Sequence, residues 1–128
     1  MLTLLACSAA LVLLFAALSV NVSITRLRKR KYPDRVTDAD LTKAIRAHGN
    51  AAEYVPVFLV IFLYFNSIEA GPFLGGMAIA ATASRYFHAI GMLMAASVAH
   101  RHPLRFIGAL GTYLCLFIFG VALLLRAL

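Results

Sequence analysis

The chain has 128 residues, a length suited to one compact unit. Its hydrophobic share is 62% and its charged share 13%, against roughly 25% charged in soluble domains, which points to an integral membrane protein. The net charge of +7 does not argue for nucleic acid, because most basic residues flank apolar segments, as the positive-inside rule expects of cytoplasmic loops.

Leu2 to Ile24 is uncharged, and the basic residues follow the apolar run instead of preceding it. A signal peptide has the opposite order, so a retained first helix is expected over about 2–25. The cluster Arg26 to Lys31 reads as a topogenic anchor at anionic headgroups, and Tyr32-Pro33-Asp34 breaks the helix. Thr37 or Asp38 can cap a second helix over about 38–66, which contains Pro56. Asn66 to Pro72 forms a turn whose one charge is Glu69.

A third helix is expected over about 73–98, with Arg85 near its middle and His88 one turn on. Gly76, Ala80 and Ser84 make a small-residue stripe on it. After a short polar turn at Ala99 to Pro103, a fourth helix over about 104–127 starts with Arg105 and carries a small face at Gly108, Thr112 and Cys115. Cys7 and Cys115 lie in apolar runs with no metal spacing and read as small buried residues. The predicted fold is all-α: one domain over residues 1–128, a four-helix transmembrane bundle. The basic loops one and three should be cytoplasmic and both termini outside.

The richest stretch is Arg46 to Tyr54. Arg46, Asn50 and Glu53 sit at i, i+4 and i+7, one helical face, with Tyr54 close to it. The uncharged run from Tyr54 to Ile68 is shorter than the roughly 20 residues a span needs. The span must therefore begin near His48, which puts Asn50 and Glu53 in hydrocarbon. A carboxylate there costs about 2.5–3.5 kcal/mol and needs a partner.

Glu53 and Arg85 are equally distant in sequence from Glu69, so an antiparallel hairpin sets them at one depth, and an ion pair between them is predicted. The same count sets Asn50 level with His88 and Arg46 level with Met92. Arg26 and Arg105 lie towards the same side, so four arginines are expected to converge on the cytoplasmic half. Two readings stay open. The charges can lock helices together, or the surplus of guanidinium can hold an anionic ligand. His100 and His102 lack a third metal ligand, and His48 faces away from the stripe towards an interface or a helix contact.

These residues carry a family likeness. R-A-H-G-N-A-A-E-Y-V-P, Arg46 to Pro56, resembles the second-helix signature of the MAPEG superfamily, the membrane-associated proteins of eicosanoid and glutathione metabolism. Arg26 to Arg30 resembles its first cytoplasmic motif, Arg85-Tyr86-Phe87-His88 its third-helix motif, and Pro103-Leu104-Arg105 the start of its fourth helix. The compact form is similar to bacterial members.

The resemblance implies a homotrimer in a cell membrane, with glutathione held between neighbouring subunits and the site open to the cytoplasm. It implies that Arg26, Arg46, Asn50, Glu53 and Arg85 bind the peptide, with Tyr54 and His88 beside them, and that Arg105 stabilises the thiolate. The sequence departs from the pattern at Met92, where several eukaryotic members have tyrosine, and at Phe106, where one branch has serine.

The implied activity is glutathione transfer to lipophilic electrophiles, or peroxidase action on hydroperoxides. Chemistry agrees: glutathione carries two carboxylates and an ammonium, and a thiol of pKa about 8.5 needs a nearby cation to ionise at neutral pH. The alternative is a non-catalytic membrane module that binds an anionic lipid or peptide through the same arginines.

Overall fold

The computed structural model describes residues 2–128, which form four helices and no strand: α1 (Leu2–Lys31), α2 (Asp38–Ser67), α3 (Pro72–Met94) and α4 (Pro103–Ala127). The all-α, four-helix expectation holds. By length and composition α1, α2 and α4 are apolar enough to cross a membrane. The fourth expected span, α3, is interrupted by Arg85 and His88 and does not meet that measure. It sits instead at the centre, packed against each of the other three helices.

The helix ends follow local chemistry. α1 stays helical through the basic cluster, whose Arg28, Lys29, Arg30 and Lys31 occupy its last turn, where the dipole favours cations. Lys29 then pairs with Asp38 across the connection. Thr37 is the N-cap of α2: its hydroxyl accepts from the Asp40 N–H at 3.1 Å, and the Asp40 carboxylate accepts from the Thr37 N–H at 3.0 Å.

Pro56 removes one N–H from the interior of α2, yet the helix continues to Ser67. It closes with a six-to-one bond from the Ala70 N–H to the Phe65 carbonyl, 3.0 Å, and a second from Glu69 to Asn66, 3.2 Å. This closure requires a left-handed residue, and Glu69 supplies it at φ 49°.

The α3 helix stops at Met94, earlier than the expected 98. Val98 gives its carbonyl to the Arg105 guanidinium at 2.6 Å instead of to a helical N–H. Pro103, the first residue of α4, also disfavours helical geometry at His102. Residues 95–102 thus form a longer loop than the predicted turn.

One stripe of α1, Leu4, Cys7, Leu11, Leu14 and Leu18, is buried. Ala47, Ala51, Ala78, Ala81 and Ala89 let the neighbouring helices approach closely. Aromatic side chains bridge α2 to α4: Phe119 meets Phe62 at 5.5 Å, Phe65 at 5.9 Å and Phe58 at 6.5 Å between ring centroids. Lipid offers no hydrophobic drive for helix association, so the dispersion between these rings carries that contact.

The α3–α4 crossing is tighter still. A Cβ on Gly108 would lie 2.5 Å from the Ser84 carbonyl oxygen, and one on Gly91 would lie 2.9 Å from the Arg105 Cα. Gly108, Thr112 and Cys115 are buried as their spacing suggests. Of the α3 stripe, Gly76 and Ala80 lie outside the core, and Ser84 alone meets α4. The Tyr86 hydroxyl donates to the Ala10 carbonyl at 2.9 Å, joining α3 to α1. His48 stacks on Phe15 of α1 at 4.8 Å, a helix contact.

Candidate functional site

At the end of the bundle where the 32–37 and 95–102 connections lie, α2, α3 and α4 diverge around a cleft of about 930 Å³. α2 contributes Arg46, Asn50 and Glu53; α3 contributes His88 and Met92. The 95–102 loop roofs it with His100, Arg101 and His102, and α4 adds Arg105, Phe106 and Tyr113. Three guanidinium groups, Arg46, Arg101 and Arg105, thus face one carboxylate, Glu53. Such a cleft attracts a ligand with more negative than positive groups.

Five of the eight predicted site residues meet here: Arg46, Asn50, Glu53, His88 and Arg105. Arg85 and Tyr54 stand directly behind the cleft wall, and Arg26 is exposed on α1, outside the cleft of its own subunit. Convergence of four arginines is therefore not what one chain provides.

The predicted Glu53–Arg85 ion pair is absent among the described residues. The buried Arg85 guanidinium donates to the Asn50 side-chain oxygen at 2.5 Å and to the Thr112 hydroxyl at 3.4 Å. It also lies 4.9 Å from the centre of the Tyr54 ring. Thr112 is held in turn by donating to the Gly108 carbonyl at 2.7 Å.

Rotation of α2 is the cause. Its buried face centres on Ala51, between Ala47 and Val55. At about 100° per residue, Asn50 lies some 100° round from Ala51 and Glu53 some 160°. Asn50 can reach the interior from the edge of that face; Glu53 cannot. Its carboxylate is left exposed at the cleft.

Two features bear on ligand chemistry. The buried His88 side chain lines the cleft with no hydrogen-bond partner for Nδ1. Arg105 is half-buried and tethered to the roof through Val98. Sequence reasoning overlooked Tyr113, whose ring lies 6.3 Å from that of Tyr54. The available signal was its spacing: Arg105, Ala109 and Tyr113 recur every fourth residue, on one face of α4.

A model of the MAPEG family matches residues 4–125, nearly the whole chain. The chain belongs to the MAPEG family. Comparison with curated proteins returns no match, and neither does comparison with solved structures. In this MAPEG protein the four segments that carry the likeness stand at the polar end of the bundle or on the helices beneath it. The family includes glutathione transferases and related membrane proteins.

Proposed function

We propose that this MAPEG protein is a membrane-bound, glutathione-dependent transferase or peroxidase acting on lipophilic electrophiles or hydroperoxides. The supporting observation is that Arg46, Asn50, Glu53 and Arg105 face a single open cleft. Glutathione has the complementary groups: two carboxylates for guanidinium, one ammonium for Glu53, and a thiol for Arg105. Arg85 and Tyr54 act from behind the wall by fixing Asn50. Arg26, exposed and outside its own subunit's cleft, completes the site of a neighbour in a homotrimer. The cleft opens to the cytoplasm, and the electrophile arrives through the bilayer.

In this reading Arg105 is the catalytic residue. A guanidinium beside sulfur interacts more strongly with thiolate than with thiol, which raises the nucleophile concentration at neutral pH. One observation favours a second reading, a module that only binds an anionic lipid or peptide: Arg105 already has a partner, the Val98 carbonyl.

Calorimetry with glutathione in detergent, followed by a thiolate absorbance scan, separates the two. Arg105→Ala should lose the thiolate signal and lower turnover of an aryl halide, with only modest loss of affinity. Arg46→Ala should weaken binding and change the saturated rate less, as expected of uniform binding. If the parent protein binds glutathione but forms no thiolate, Arg105 is a clamp and the second reading stands. If it binds no glutathione, the enzyme reading fails.

A further inference from the structure

Three features of the bundle invite a role beyond the site residues: the buried His88, the apolar groove ending at Arg126, and Tyr113. Tyr113 carries the argument furthest. It lies ten residues into α4, about 15 Å along the axis from Pro103 and so near the middle of a bilayer core. It is 57% exposed. The same face of α4 carries Phe106 at 70% and Phe117 at 73% exposure, both without a hydroxyl. A phenolic oxygen is costly in hydrocarbon unless something polar meets it; here the Tyr54 ring stands 6.3 Å away and the cleft lies alongside.

Tyr113 also borders the cleft, where it is the one neutral hydroxyl among the lining side chains. Helical side chains lean towards the N-terminus, so its ring leans towards Ala109 and Arg105. Ala109, between Arg105 and Tyr113 on this face, also lines the cleft and has only a methyl side chain.

We propose that Tyr113 is the proton donor to an oxygen leaving group, and that the electrophile is a lipophilic hydroperoxide. This inference rests on the glutathione-dependent reading of the site. The thiolate sulfur attacks the distal peroxide oxygen; an S–O bond forms and the O–O bond breaks. The departing alkoxide takes the Tyr113 phenolic proton and leaves as an alcohol. A second glutathione thiolate then attacks the sulfenic sulfur, expelling hydroxide, which solvent protonates to water, and the disulfide forms. The peroxide gains two electrons, one from each sulfur, and the phenolate recovers its proton from water in the cleft. A chloride leaving group needs no such proton.

The test compares cumene hydroperoxide with chlorodinitrobenzene, both with glutathione, on the parent and on Tyr113→Phe in detergent. Hydroperoxide turnover should fall at least tenfold more than aryl chloride turnover, and a solvent deuterium effect on the hydroperoxide reaction should shrink. Equal losses on both substrates, or none, overturn the role of Tyr113 while the parent's aryl chloride activity keeps the glutathione reading intact. A parent that turns over aryl chloride but no hydroperoxide also overturns it. A parent inactive on both, with no bound thiolate, removes the glutathione reading and this inference with it.

Discussion

Arg85 of α3 is held by Asn50 of α2 through a 2.5 Å hydrogen bond from guanidinium nitrogen to amide oxygen, at the inner wall of the cleft. A neutral oxygen cannot cancel the charge as a carboxylate would, so the site depends on several partial contacts: Asn50, the Thr112 hydroxyl and the face of Tyr54.

Removing Asn50 leaves a buried cation with its best acceptor gone. Asn50→Leu should cost about 3–5 kcal/mol, the scale for stranding a buried charge. Glu53→Gln changes an exposed group and should cost at least about 2 kcal/mol less than that. Unfolding of the ligand-free protein in detergent, followed by circular dichroism, ranks the two. The reverse ranking would mean that Glu53, not Asn50, balances Arg85.

The glycines of α4 make a graded series. At Gly108 a new Cβ meets backbone of α3, including the Ser84 oxygen at 2.5 Å and the His88 Cα at 2.8 Å, and nothing there can swing aside. Gly108→Ala should cost about 1–3 kcal/mol or more through overpacking. Gly111→Ala meets mainly the Ser84 side chain, which can turn away, so the cost should be smaller. Gly120 has open space around it, and Gly120→Ala should be neutral or stabilising by up to about 1 kcal/mol. Melting temperatures in one detergent give the order, and a Gly108→Ala protein as stable as the parent would refute the close crossing.

Glu69 holds a left-handed conformation at φ 49° to close α2. Such a conformation costs a residue with a Cβ roughly 1–2 kcal/mol, and glycine escapes it. Glu69→Gly should therefore raise stability by up to about 1 kcal/mol, measured by the same thermal unfolding. A clear loss would mean that the carboxylate has a stabilising role of its own.

Orientation is open to direct labelling. Cys7 and Cys115 are both buried, so cysteines introduced elsewhere report on their own positions. The positive-inside rule predicts that the basic connections face the cytoplasm, so cysteines at Lys29 and His102 should be protected from an impermeant reagent in intact cells, and one at Glu69 should react. Labelling at position 29 with protection at position 69 reverses the topology.

The sequence by itself determined what depends on neighbours along the chain. Hydropathy and length mark α1, α2 and α4; a cap at Thr37 or Asp38 marks the start of α2, and Tyr32-Pro33-Asp34 breaks α1. The spacing of Gly108, Thr112 and Cys115 identified the buried face of α4, because a helix fixes which side chains share a side. The family signature was legible for the same reason, since Arg46, Asn50 and Glu53 keep helical spacing whatever surrounds them.

Tertiary packing alone decided how far each helix turns about its own axis. Nearly every side of α1 is apolar, so no periodicity singles out the buried stripe from Leu4 to Leu18. In α2 the close fit of Ala47, Ala51 and Val55 turned Asn50 to the edge of the interior and Glu53 towards the cleft. Counting residues from Glu69 brings Arg85 into reach of α2, where it meets Asn50 one turn before the expected Glu53, because depth carries no information about angle. The same limit hid Tyr113, an ordinary aromatic in an apolar run until the packing of α2, α3 and α4 placed it at the edge of the cleft.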